Sequence, residues 1–354
     1  MKNISSVAKS TGLSLLELAL GSLVIVAATL LSSTPALATE SSLTLIVPFA
    51  SGGPTDRIAR AFADAAQRQQ PGLSVRIENV SGGGGTVAAA KVAKSPADGS
   101  VVLLQNTAMS AAPAMYADLP YDTLEDFAYI GLFQEVPMML VGRGNLPPDL
   151  AGLRSFIGER RGDVKLAHAG VGSASHLCGL LIQSSLNQRL VEKAYPGNAP
   201  AIADLLSGRV DLLCDPTTSS VANVQAGRLR AYGVTAATNV PTAALRAIPP
   251  LHEVGLPNAQ ITVWFGLVAP KGTPLTTQTL LNGLLRSVAS DPEFVASQEG
   301  AGALVITDAR LAPTIHKRFV AKEIAHWRSV IGDMALGSAR VSDAAQVSVN
   351  KKGM

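Results

Sequence analysis

Leu45 to Arg60 reads LIVPFASGGPTDRIAR. Ile46-Val47-Pro48-Phe49 is a short apolar run suited to a buried strand, and Pro54-Thr55-Asp56 opens an amphipathic helix. Ile58, Phe62 and Ala65 recur at i, i+4 and i+7 and mark the buried face of that helix. Ala50, Ser51, Gly52 and Gly53 join the two elements. A glycine turn leading from a strand into a helix points backbone N–H groups and the positive dipole end at one spot, which makes a seat for an anion. Asp56 also has a plainer reading, as a first-turn charge that complements the dipole.

Outward from this stretch, strands and helices alternate, which predicts an α/β fold with largely parallel sheets. Ser74 to Glu78 reads as the next strand, followed by the glycine run Ser81 to Thr86 and a small-residue helix through Lys94. Val101 to Leu104 is another buried strand, and Asn106 falls just past its end, where a side chain can face a ligand. Pro113 to Phe127 is rich in loop signals. Val136 to Val141 runs into Gly142-Arg143-Gly144 and Pro147-Pro148, which marks a crossing into a second α/β unit. Val263 to Val268, closed by Pro270-Lys271-Gly272-Thr273-Pro274, reads as the return. The expected domains are 39–140 plus 265–336 and, between them, 141–264, with 337–354 as a polar tail without periodicity. Two crossings between two lobes leave a cleft facing strand carboxyl ends, where ligands usually sit.

Residues 1–38 read as a signal peptide. Lys2 and Lys9 precede the mostly apolar Leu13 to Leu31, and Ala36-Leu37-Ala38 fits a small-x-small cleavage site. Gly12-Leu13-Ser14-Leu15-Leu16-Glu17 also resembles a type IV prepilin leader, which would leave a membrane anchor if retained. Both readings export the chain, to the periplasm. In that compartment Cys178 and Cys214 are free to form a disulfide; the other reading, two small buried hydrophobes, stays open, because sequence gives no Cα separation.

Charged residues make up 16% of the chain, aromatics 4%, and the net charge is +3; no basic stripe with interleaved aromatics occurs, so nucleic-acid binding has little support. Two cysteines and five scattered histidines supply no metal-ligand spacing, and no metal or cofactor is expected. Two further glycine turns precede helices. Ala169-Gly170-Val171-Gly172-Ser173-Ala174-Ser175-His176 follows the strand Val164 to His168, with Ser173 as its N-cap, and Tyr195-Pro196-Gly197-Asn198-Ala199-Pro200 has Asn198 as its cap. Each turn alone is most simply a short strand-to-helix loop; three spread over both lobes point to anion binding. Gly170-Val171-Gly172 is followed by Ser175 at the third fingerprint position, the run Gly82 to Gly85 has Val87 there, and no GxxxxGK[ST] occurs, which argues against nucleotides. No GxSxG elbow is present, and Ser173 beside His176 on one helical turn is no triad. His176 has a packing or capping role as its plainer reading. Asp56 and Asp215 both follow strand ends, where a binding carboxylate and a catalytic one look identical in sequence.

Seven ordered segments carry a family likeness: Ile46 to Arg60, Glu78 to Gly99, Leu119 to Gly131, Ala169 to Leu177, Tyr195 to Asp215, Ala226 to Thr235 and Val263 to Pro274. With these the chain resembles the periplasmic receptors of tripartite tricarboxylate transporters, the Bug receptors. The resemblance implies a two-domain periplasmic binding protein, type II-like, with a hinge of two crossing strands and a ligand cleft between its lobes. It also implies capture of a small carboxylate (a di- or tricarboxylate, an acidic amino acid or an aromatic acid) for delivery to membrane permease subunits, without catalysis. A monomer is expected. By motif, Phe49, Ala50, Ser51, Gly52, Gly53, Thr55 and Asp56 would grip the ligand from one lobe, with Gly170, Val171, Gly172, Ser173 and His176 opposite. Tyr195, Gly197, Asn198, Ala199 and Asp215 would line the second lobe. Gly85-Thr86-Val87, where many relatives carry asparagine after the glycines, and Ala194 before Tyr195 in place of proline leave the ligand's identity open. An exported sensor would look the same in this chain; an exported hydrolase would need a paired nucleophile and base that the sequence does not supply.

Overall fold

The computed structural model describes residues 41–350, apart from 161, 237–239, 241, 243 and 244, with side chains through 332. The leader readings on residues 1–38 therefore lie outside the described residues. In chain order the elements are β1 (Ser41–Val47), α1 (Pro54–Gln69), β2 (Leu73–Asn79), α2 (Thr86–Ala93), β3 (Val101–Asn106), α3 (Thr107–Met115) and β4 (Phe127–Arg143). There follow α4 (Leu150–Glu159), β5 (Lys165–His168), α5 (Ala174–Leu186), β6 (Val191–Ala194), α6 (Asn198–Leu206), β7 (Leu212–Pro216), α7 (Thr217–Gln225) and β8 (Leu229–Val234). The chain ends with β9 (Thr262–Pro270), α8 (Leu275–Ala289), α9 (Pro292–Gly300), β10 (Leu304–Val305) and α10 (Pro313–Asn350). The last helix extends into the stretch read as a tail, and residues 351–354 lie outside the described residues.

One strand belongs to two sheets. Phe127 to Pro137 of β4 pairs antiparallel with β9, whereas Met138 to Gly142 pairs with β7 and Met139 to Arg143 with β8. The first sheet thus runs β2-β1-β3-β9-β4 and the second β4-β7-β5-β6. This order, with a returning strand inserted next to the third, is the type II arrangement of a two-lobe periplasmic binding protein. Pairs β1–β2, β1–β3, β5–β6 and β5–β7 are parallel, as alternating β and α elements require. The sheets are nonetheless mixed rather than largely parallel, because the two crossing strands run against their neighbours.

Burial follows the periodicity of the sequence. Leu43, Leu45, Ile46 and Val47 of β1 and Ile58, Ala59, Phe62, Ala65 and Ala66 of α1 are buried in the same core. Phe62 meets Phe133 at 5.3 Å between ring centroids, so the first helix is pinned to the crossing strand. Helix α3 ends inside the span Pro113 to Phe127 that reads as loop. Its sequence TAMSAAPAM has small residues on all sides and a proline within, so no apolar face repeats. In the second lobe Cys178 of α5 and Cys214 of β7 form a disulfide, with Cα atoms 6.1 Å apart. It closes a loop of 36 residues, worth about 4 kcal/mol by loop entropy.

Candidate functional site

The opening turn is held from within. Asp56 is 1% exposed and accepts hydrogen bonds from the Gly52 N–H (2.9 Å), Asn79 Nδ2 (3.0 Å) and Arg60 Nε (2.9 Å). Burial pushes its pKa up, but Arg60, the Gly52 N–H and Asn79 outweigh that and hold it below the ordinary carboxylate range. Asp56 is therefore a carboxylate with its oxygens already engaged, and it positions the turn rather than facing the cleft. Asn79 also donates to the Phe49 carbonyl at 3.0 Å, so β2 fixes both ends of the turn.

Helix α1 begins at Pro54 with no side-chain cap on its first turn, and α6 begins at Asn198 in the same condition. The N–H groups of Thr55, Asp56, Asn198 and Ala199 have no partner among the described residues. These two helix starts come from opposite lobes and meet. The Ala50 N–H reaches the Pro196 carbonyl at 3.4 Å, and a methyl on Gly197 would lie 3.2 Å from the Ala50 backbone nitrogen and 3.2 Å from its Cβ. A methyl on Gly53 would stand 3.9 Å from the Ala199 nitrogen. Two uncapped N-termini brought together from two sides present neutral donors, the kind of arrangement that suits an anion.

A second contact lies between the glycine run after β2 and the loop after β5. A methyl on Gly84, whose φ is +62°, would sit 2.1 Å from the Val171 carbonyl oxygen and 3.1 Å from the Ser173 nitrogen. Tyr116, just past α3, donates its hydroxyl to the Val171 carbonyl at 2.6 Å. Phe49 and Ala108 of the first lobe pack with Ala169 of the second. The lobes are thus closed on each other. Asn106 caps α3 by accepting from the Ala108 N–H (3.0 Å), and it lines a cavity of about 10 Å³ with Pro48, Gly84, Gly85, Thr86 and Ala108. All of these residues belong to the first lobe, and the space has room for roughly one water.

The loop from Ala169 to His176 is bonded mostly to itself. Ser173 caps α5 as expected, its Oγ accepting from the His176 N–H at 3.3 Å and lying 3.1 Å from the Ser175 Oγ. The Ala169 N–H goes to Ser175 Oγ (2.8 Å), the Gly170 N–H to His168 Nδ1 (3.2 Å) and the Gly172 N–H to His176 Nδ1 (3.1 Å). The glycine donors expected to hold a ligand are therefore engaged, and Val171, Ala174 and Ser175 have the N–H groups without a partner among the described residues. His176, buried, braces the loop. Its Nδ1 is an acceptor, so its Nε2 carries the proton and faces Glu192 Oε2 at 3.6 Å. His168, His176 and Glu192 lie within 4.8 Å of one another, a metal-type group. Both imidazoles accept backbone N–H bonds at Nδ1, however, so seating a cation on Nε2 would break the bonds that shape the loop.

Side-chain direction corrects one further expectation and places two other residues. Asn198 does not cap: Gly197 holds the cap position, and the Asn198 amide donates to Asp215 Oδ1 at 2.6 Å. Tyr195 turns its hydroxyl to Asp204 Oδ2 (2.6 Å) and packs on the second lobe's core. Asp215 is fully buried, takes a hydrogen bond from Ser220 as well, and is pushed up to about 6 by desolvation. Ser51 lies 3.4 Å from Asp56 Oδ2, and Gly52 donates to the same oxygen. Reading the sequence missed Gly84 and Tyr116. The signal for Gly84 was present in the four-glycine run, whose use is close approach of two backbones.

A family model described as "Tripartite tricarboxylate transporter family receptor" matches residues 58–336. BugT of Bordetella pertussis is 31% identical over 293 residues, covering 81% of this chain and 87% of its own. A protein from the TAR-I ttuE-ttuC' intergenic region of Agrobacterium vitis is 34% identical over 295 residues, 83% of this chain and 84% of that one. Among solved structures, the periplasmic binding protein BugD superposes with a TM-score of 0.80 at 34% identity, covering 83% of this chain and 97% of BugD. MatC from Rhodopseudomonas palustris with bound malate gives 0.78 at 32%, covering 82% and 98%. R. palustris Rpa4515 with adipate gives 0.77 at 31%, covering 83% and 97%. Periplasmic relatives agree with an exported location, and among the described residues no helix is long and apolar enough to cross a membrane. With a family model matched over most of its length and two lobes closed around uncapped helix starts, the chain belongs to the tripartite tricarboxylate transporter receptor family, and it is a solute-binding receptor, not an enzyme.

Proposed function

We propose that this receptor closes on a small dicarboxylate and delivers it to the membrane permease subunits of a tripartite tricarboxylate transporter. The observation that carries the reading is the meeting of α1 and α6, two helix starts from opposite lobes without side-chain caps. One carboxylate seated there accepts from the Thr55, Asp56, Asn198 and Ala199 N–H groups. A second seat is available at the Val171, Ala174 and Ser175 N–H groups, on the loop that Gly84 meets from the first lobe. Two seats favour a ligand with two anionic ends, and the relatives solved with malate and with adipate support that class. Donors from both lobes tie the first seat to closure, because that seat is incomplete while the lobes are apart.

A thermal-shift panel of dicarboxylates, tricarboxylates, acidic amino acids and aromatic acids tests the class, with acetate and phosphate as controls. A ligand at one hundred times its Kd stabilises by about 2.7 kcal/mol, a shift readily measured. Stabilisation is expected to be strongest with a dicarboxylate. No shift with any of the acids would end the reading.

A further inference from the structure

Behind the crossing strands lies a larger cavity, of about 290 Å³, that shares no residue with the loops meeting across the cleft. One wall is the crossing itself: Glu135 on β4, Thr235 just past β8, and Gln260, Ile261, Thr262 and Trp264 at the start of β9. The other wall is α10, through Phe319, Glu323, His326 and Trp327. The crossing wall is firmly built. Thr235 Oγ1 accepts from the Met138 N–H (2.8 Å) and donates to the Ile261 carbonyl (2.6 Å), so it ties the outgoing strand to the returning one.

The chemistry of the walls is one-sided. Two carboxylates, three aromatic side chains and the imidazole of His326 line the space, and among the described residues no lysine or arginine does. Glu323 is held in place by the Trp264 indole N–H, 3.2 Å from its Oε2. Glu135 pairs with Arg310 at 2.9 Å, but that arginine is shared with Asp308, so the group stays net negative. Aromatic faces beside fixed carboxylates in a cavity near the lower size limit of ligand pockets suit a small, weakly hydrated cation. An anion would meet Glu135 and Glu323, and a neutral apolar molecule would desolvate both carboxylates while offering neither a charge. We infer that this cavity is a second ligand site, for a small organic ammonium ion held by Glu135 and Glu323 against Trp264, Phe319 and Trp327.

The chain has two tryptophans, and both line this cavity, so tryptophan emission, excited selectively over the five tyrosines, reports on the cavity walls. The experiment is a fluorescence titration of the mature protein with choline chloride, against sodium chloride at matched ionic strength and the uncharged isostere 3,3-dimethylbutan-1-ol. A saturable change is expected with choline and with neither control. Glu323→Gln, and Glu135→Gln as the second variant should the first fail to fold, is expected to weaken choline by about tenfold. A response that choline shares with sodium chloride or with the alcohol, or that neither glutamine variant alters, overturns the assignment.

Discussion

Gly84→Ala puts a methyl group at the point where the lobes touch. The residue is left-handed (φ +62°), so alanine carries a strain of about 1–2 kcal/mol in open and closed states alike. The second effect belongs to the closed state only. The new Cβ would stand 2.1 Å from the Val171 carbonyl oxygen, more than 1 Å inside the 3.4–4 Å range of ordinary contact. Its neighbour is backbone and cannot rotate aside, so the lobes must back off by about 1 Å. Hydrogen bonds from N–H groups to a carboxylate weaken steeply over that distance. Losing two such bonds, at about 1.5–3 kcal/mol each, predicts affinity weaker by about 100-fold or more. Gly208→Ala is the matched control: its φ is +76° and nothing lies within 4 Å of the added methyl. Isothermal titration with the acid that stabilises the wild type most, beside thermal melts, separates the two effects. Both variants are expected to lose similar stability, and Gly84→Ala alone to lose affinity. If Gly84→Ala binds as the control does, the closed contact at Val171 has no part in binding.

Other outcomes follow from the same geometry. Thr55→Ala should leave affinity within a few-fold, since the clamp uses the Thr55 backbone, whereas Asp56→Ala frees Gly52, Asn79 and Arg60 from their acceptor and should weaken binding about tenfold or more with a stability cost of about 2–4 kcal/mol; titration and urea melts read both. Cys178→Ser with Cys214→Ser should cost about 4 kcal/mol by loop entropy without changing the cleft, seen as a lower Tm with the ligand shift retained. His316 is fully buried between Tyr129 and Trp264, and desolvation lowers its pKa from 6.5 to about 3. The unfolded chain thus binds the extra proton first, so the stability of the neutral ring is complete above pH 6.5 and lost as pH falls towards 3. His316→Phe should gain Tm relative to wild type across that window, and a difference flat with pH would refute this.

Local chemistry made the turns legible, and direction of side chains was not. Gly52-Gly53-Pro54, Gly172-Ser173 and Gly197 are fixed by φ and by cap geometry, which a few neighbouring residues decide. The two-lobe architecture followed from alternating elements and two long apolar runs, although the crossing falls at Pro137–Met138, where β4 leaves β9 for β7. Asp56 with Arg60 four residues on was a readable helix pair, and it accounts for a carboxylate that faces its own helix. Tyr195 and Asn198 were not readable in this way. Their partners Asp204 and Asp215 lie on other elements, and only the packing of α6 against β7 brings Asn198 to Asp215. The same holds for Gly84. In sequence its glycine run resembles a failed nucleotide fingerprint, and its use depends on a loop 87 residues away in the other lobe.

The cations nearest the first turn make a final point about release. Arg57 donates to the Gly52 carbonyl at 2.9 Å, and Arg60 pairs with Asp56 at 2.9 Å; both charges are bonded to the turn that they flank. What the turn offers an anion is therefore neutral N–H groups and a helix dipole. Such donors hold a carboxylate well when both lobes contribute, and poorly when only one does. An arginine directed into the cleft would keep its grip on an open lobe, since a bidentate guanidinium pair needs no second partner. A receptor that must surrender its ligand on opening is better served by two half-seats, each too weak alone, and on the function proposed above the uncapped starts of α1 and α6 would serve as those half-seats.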